Sequence, residues 1–255
     1  MLDSFYTKVS YGRKKEDEMK IVISSSKGGV GKSVSSIFVA ELSSRMGKNT
    51  LLVDAGYQAT TSNYFLNNDY ELRKEKNLFN VLIGNIKPKD SIIKIKENLS
   101  LIPGFIDLTD FSDHVKIKDK DLIIKAVFSK VFNDYDNVIF DTESSLGSLT
   151  RNVYHVAEIA VIPIYDSKSI DEARKTIDNI IALNSNIKKT YILPVMKRML
   201  SRSFSKILAQ AKEKLDDIDF LQPIMYYKDI FEGDMEKAVS GKAIANYEKS
   251  VGGLL

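Results

Sequence analysis

The chain has 255 residues, 44% of them apolar and 28% charged, a composition typical of globular proteins and long enough to bury a full core. It contains no cysteine, which excludes disulfides, thiolate metal sites, cysteine nucleophiles and cysteine-held iron–sulfur clusters. A net charge of +3, from 37 basic and 34 acidic residues, is too small by itself to specify a nucleic-acid partner, and no apolar run approaches the roughly 20 residues of a membrane span.

In chain order, residues 1–18 are polar and charged and lack the apolar core of a signal peptide. They read as a disordered N-terminal tail, with Met19 as a second candidate start, ahead of one domain over 19–255. A cytoplasmic protein is expected. Short apolar runs follow at Ile21 to Ile23, Thr50 to Val53, Leu99 to Ile102, Val138 to Phe140, Ile159 to Ile164 and Tyr191 to Val195. They are β-rich without strict alternation, as strands covered on both faces are. Between them run helical stripes: Val34, Ile37, Phe38, Leu42 and Met46, stopping at Gly47, and later Ile170, Ala173, Ile177, Ile180 and Ile181. Strands alternating with helices predict an α/β fold with a mostly parallel, doubly wound sheet.

The run SSSKGGVGKSVSS, Ser24 to Ser36, lies between the first strand and the first helix. Strand, glycine-rich loop, Lys-Ser and helix is the order of a P-loop, in which backbone N–H groups and a helix N-terminus surround a polyphosphate. Gly28, Gly29, Val30, Gly31, Lys32, Ser33 and Val34 are therefore the candidate ATP-binding residues. Lys32 would neutralise β- and γ-phosphate oxygens, and the Ser33 hydroxyl would ligate Mg2+.

KGGVGKS resembles the deviant Walker A motif of the ParA/MinD superfamily of P-loop ATPases. The resemblance extends from about Lys20 to about Tyr247. LLVDAGYQATTSNYF, Leu51 to Phe65, is similar to the family's second motif, and YDNVIFDTESSLGSLTRN, Tyr135 to Asn152, to its Walker B region. It implies that Lys27 reaches across a dimer interface to the partner's nucleotide, that Asp141 holds Mg2+, and that Lys27, Lys32 and Asp54 serve ATP hydrolysis. In the family's D-x-D-P-Q pattern Gly56 stands where the second aspartate orients water, so weak turnover is expected. Glu143 replaces the first proline after Walker B and is a candidate substitute.

Among the branches, the chain is most similar to the ParA partition proteins. Its final stretch, AIANYEKSVGGLL, lacks the basic amphipathic helix with which the MinD branch binds membrane. The tail is too short for the helix-turn-helix leader of larger plasmid ParA proteins. The resemblance implies an ATP-dependent homodimer on non-specific DNA, nucleoid-associated, released by a centromere-binding ParB-like partner. Positioning of another cellular cargo, or a switch with little hydrolysis, is the alternative. On a helix within Val195 to Leu215, Phe204, Ile207, Leu208, Ala211 and Leu215 form one stripe and Arg202 and Lys206 the opposite face. With Lys197 and Arg198 just before it, these four cations are the candidate DNA contacts.

Overall fold

All six apolar runs become strands of one eight-stranded sheet, ordered β3-β4-β2-β5-β1-β6-β7-β8. The computed structural model describes residues 18–67, 69–111, 120–184, 186–195 and 202–255. Its strands are β1 (Met19–Ile23), β2 (Thr50–Ala55), β3 (Ile93–Lys96), β4 (Leu99–Ile102), β5 (Asn137–Thr142), β6 (Ile159–Ile164), β7 (Lys189–Pro194) and β8 (Asp219–Phe220). Every pairing is parallel except that of β3 with β4. The helices are α1 (Lys32–Arg45), α2 (Thr60–Phe65), α3 (Tyr70–Glu75), α4 (Leu78–Leu82), α5 (Ile123–Phe132), α6 (Ser148–Tyr154), α7 (Ser167–Leu183), α8 (Arg202–Lys214), α9 (Lys228–Phe231), α10 (Met235–Ser240) and α11 (Lys242–Val251).

Successive strand residues point to opposite faces, and both faces are covered. Val22, Val53, Phe140 and Ile162 face a core completed by α4 to α8, while Ile21, Ile23, Leu52 and Ile139 face one completed by α1, α10 and α11. The doubly wound architecture expected from the alternation of elements is the one observed. In the second layer the Phe38 ring of α1 stacks on Tyr247 of α11, centroids 4.3 Å apart.

The helical stripes differ from expectation at their ends. Met46 lies beyond the last turn of α1 and Ile181 on the outer side of α7, 46% and 55% exposed. Conversely α1 buries far more than one stripe: Ser35, Ser36, Glu41, Ser43 and Ser44 are also buried, because the sheet and other helices enclose it. Glu18, read from sequence as the last residue of the tail, is buried and paired with Lys20.

The fold positions the site simply. β1, β2 and β5 are neighbours through β5 and run parallel, so the loops after their C-terminal ends converge at one edge. Ligands of open α/β sheets bind in such a crevice.

Candidate functional site

The loop after β1 reaches α1 through two glycines in the left-handed region, Gly29 (φ 68°) and Gly31 (φ 92°). A residue with a Cβ is strained there, so glycine is the conformational requirement at both turns. Gly31 is the N-cap of α1 and no side chain caps it. The first-turn N–H groups are therefore free of a side-chain cap, and the positive end of the helix dipole lies at the cleft. Residues 28–34 line that cleft, whose volume is about 760 Å³, within the range of small-molecule pockets.

Lys32 opens α1 and is only 7% exposed. Its Nζ donates to Ser144 Oγ at 2.6 Å and to the Lys27 carbonyl at 3.2 Å. Burial lowers its pKa, and the negative charges of Asp141 and Glu143 work against that shift.

Two carboxylates lie behind it on adjacent strands. Asp54 of β2 and Asp141 of β5 are register partners, 1% and 3% exposed. Asp141 accepts hydrogen bonds from the hydroxyls of Ser33 and, at 3.3 Å, Ser36. Burial and the facing Asp54 push its pKa up to about 8, opposed by Ser33, Lys32 and Ser36. Burial also raises Asp54, whose oxygens are engaged by its own loop: Oδ1 accepts the Gly56 N–H at 3.1 Å, and Oδ2 the Ser62 N–H at 2.9 Å and hydroxyl at 2.7 Å. The Ser62 oxygen in turn accepts the Gly104 N–H at 2.9 Å. Gly104 is packed so closely that a Cβ would lie 2.6 Å from the Gly56 carbonyl oxygen. Two buried carboxyls, each disfavoured as an anion by its burial, lie beside one buried ammonium, and hard oxygen donors of this kind suit Mg2+, whose charge would favour their ionised form.

Lys27 points elsewhere. Its Nζ contacts both Asp166 oxygens, at 2.7 and 2.6 Å, and lies 4.6 Å from the Tyr165 ring centroid. Asp166 also caps α7, accepting the Ser169 N–H at 2.7 Å. Burial works against the charge on Lys27, but Asp166 and Tyr165 outweigh it and raise the pKa; burial likewise opposes the charge on Asp166, and Lys27 and Ser169 lower its pKa.

The structure thus brings Gly28 to Val34, Asp54 and Asp141 to one cleft, while Lys27, in the same loop as Gly28, is turned away from its lining and held by Asp166. Sequence reasoning missed Ser36, Ser144 and Asp166 as partners. Ser36 was accessible, being one turn from Lys32 on the same helix face. The other two come from residues 112 and 139 positions away, which no local pattern reveals. Also missed was the cleft's apolar end, formed by Val195, Ile224, Met225, Ile230 and Tyr247. Of the candidate DNA contacts, Lys197 and Arg198 lie outside the described residues, and so does the side chain of Arg202. Lys206 is exposed on α8, whose Ala211, with Leu215 just beyond the helix, is buried against the core. No described helix is long and apolar enough to cross a membrane.

Comparison with known proteins agrees with the fold. Residues 18–193 match the family model described as AAA domain. The chain is 28% identical over 212 residues, 80% of each protein, to an uncharacterised protein of Methanocaldococcus jannaschii. It is 31% identical over 147 residues to the chromosome-partitioning ATPase Soj of Treponema pallidum, spanning only 56% of either chain. Among solved structures, a Borrelia burgdorferi B31 protein assigned to plasmid partition, bound to AMPPNP, superposes with a TM-score of 0.80 at 26% identity, covering 93% of this chain and 96% of that one. The chain belongs to the AAA-domain family and to the ParA/MinD superfamily of P-loop ATPases.

Proposed function

We propose that the protein is a ParA-type partition ATPase whose Mg2+–ATP-bound form is a sandwich dimer on non-specific DNA, released by a ParB-like centromere-binding partner. The observation that carries this reading is the convergence of Lys32, Ser33 and Asp141 at the uncapped N-terminus of α1. The triphosphate would lie along residues 28–33 and take Lys32 from Ser144. Ser33 and Asp141 would hold Mg2+, which neutralises phosphate charge when bound. The apolar end beside Tyr247 suits a nucleobase.

Lys27 is the deviant lysine of this reading. In the single chain its ammonium is neutralised by Asp166. Supplying it to a partner's phosphates exchanges that pair for one with a more highly charged anion, which makes dimerisation depend on nucleotide. Lys206 and Arg202 on α8, with Lys197 and Arg198, are the proposed phosphate contacts to DNA, giving salt-sensitive binding without base readout. One observation favours a second reading, a dimerisation switch with little hydrolysis: Gly56 lines the cleft without a side chain to orient water.

Light scattering and ATP turnover measured together, with and without DNA, test the proposal. Wild type should dimerise only with Mg2+–ATP, and DNA should be retained only by that form. Lys32→Ala should lose nucleotide binding, while Lys27→Ala should bind nucleotide and remain monomeric. A Lys27→Ala protein that dimerises normally overturns the trans role. Dimerisation with negligible turnover selects the switch.

A further inference from the structure

Three carboxylates line the cleft: Asp54, Asp141 and Glu143. The first two are engaged. Asp54 accepts three hydrogen bonds from Gly56 and Ser62, and Asp141 is enclosed by Ser33 and Ser36 behind Lys32. Glu143 differs from both. It is half-buried on the loop leaving β5, next to the Ser144 that contacts Lys32. Its Oε1 accepts the Ser145 hydroxyl at 2.5 Å, and Oε2 carries no hydrogen bond among the described residues. Gly147 gives the carboxylate room, since a Cβ there would press on Oε1 at 3.3 Å. Its charge acts on the Lys32 ammonium, the group proposed above to meet the phosphates. Elsewhere on the wall, Gly56 offers no side chain.

We propose that Glu143 orients the water that attacks the terminal phosphate of ATP in this cleft. The inference rests on the reading that the cleft binds Mg2+–ATP. Glu143 accepts a hydrogen bond from the water, aiming its lone pair at phosphorus. The water oxygen forms the new bond to phosphorus as the bond to the β,γ-bridging oxygen breaks. The bridging oxygen keeps the electron pair and departs on ADP, and the water's proton passes to the released phosphate. Glu143 contributes position, an effect that is worth about 10²-fold or more in rate.

The test compares wild type, Glu143→Gln and Glu143→Ala for ATP turnover, affinity for a fluorescent non-hydrolysable ATP analogue with Mg2+, and dimer content with ATP. Turnover should fall by about 10²-fold in Glu143→Ala and less in Glu143→Gln, which keeps one acceptor oxygen. Analogue affinity should stay within about threefold, and the ATP-bound dimer should accumulate. Adding Gly56→Asp to Glu143→Ala restores a carboxylate on the facing loop and should recover turnover at least about tenfold, a rescue that a merely structural Glu143 would not allow. Unchanged turnover in Glu143→Ala overturns the proposal, as does a loss confined to Gln58→Ala, the neighbouring amide on the cleft wall. Wild type that binds the analogue but shows no turnover also overturns it while leaving the switch reading intact. Absence of analogue binding overturns both.

Discussion

The loops after β2 and β5 begin alike and then diverge. Each starts from a buried aspartate, Asp54 and Asp141, paired across the two strands. The β2 loop turns its acid inward: Asp54 ties down Gly56 and Ser62, and Ser62 carries the tie to Gly104 beside β4. The β5 loop turns its polar groups toward the cleft: Ser144 contacts Lys32, and Glu143 stands next to it on the cleft wall. A shared starting geometry therefore supports two duties, one of holding the cleft's shape and one of meeting what enters it.

The strongest test of that division is Asp54→Ala. It removes the acceptor of three hydrogen bonds at a fully buried position, leaving the Ser62 and Gly56 N–H groups without their partner. The expected cost is about 2–4 kcal/mol in urea unfolding. An unchanged unfolding midpoint would mean that Asp54 does not organise its loop, and the contrast with Asp141 would collapse.

Asp141 should show itself through pH instead. Its folded pKa is raised to about 8 from 3.8, first by burial and then by the facing Asp54. The folded, nucleotide-free chain thus holds a proton that the unfolded chain has lost between those values. The associated stability is present below pH about 4 and disappears as pH rises through about 8, with a slope of at most about 1.4 kcal/mol per pH unit. Asp141→Asn should flatten the slope in thermal melts from pH 5 to 8. An equal slope in that variant would assign the proton to another group.

How legible all this was in the sequence depends on range. The six apolar runs announced β1, β2 and β4 to β7 because strands buried on both faces must be apolar throughout. The edge strands were not announced: β3 is only Ile93–Lys96 with alternating lysines, and β8 only Asp219–Phe220. Edge strands are short and charged, so their composition resembles loops. Gly29, Gly31, Lys32 and Ser33 were legible because the requirement on them is local, a turn and a helix start. The pairing of Lys27 with Asp166 was not, since it links residues 139 positions apart through folding alone. Asp54 illustrates the remaining gap: its motif was readable, while its hydrogen bonds to Gly56 and Ser62 depend on how the loop returns over the strand.

The smallest expected effect belongs to Gly56, and it sharpens the comparison most. Gly56 is not among the positive-φ glycines, and a Cβ on it would meet nothing closer than Asp54 Oδ1 at 3.4 Å, an ordinary contact. Gly104, whose Cβ would meet backbone oxygen at 2.6 Å, shows what a glycine required by packing looks like in the same corner of the fold. Gly56→Ala should therefore change stability by no more than about 0.5–1 kcal/mol, with stabilisation the expected sign because alanine restricts the unfolded chain. A loss beyond that in urea unfolding would mean that packing holds glycine at 56, and the missing side chain would carry no message about chemistry. If the variant is as stable as expected, the missing side chain at 56 is not a demand of the backbone, which is the condition under which Glu143 on the loop after β5 is proposed to orient the attacking water.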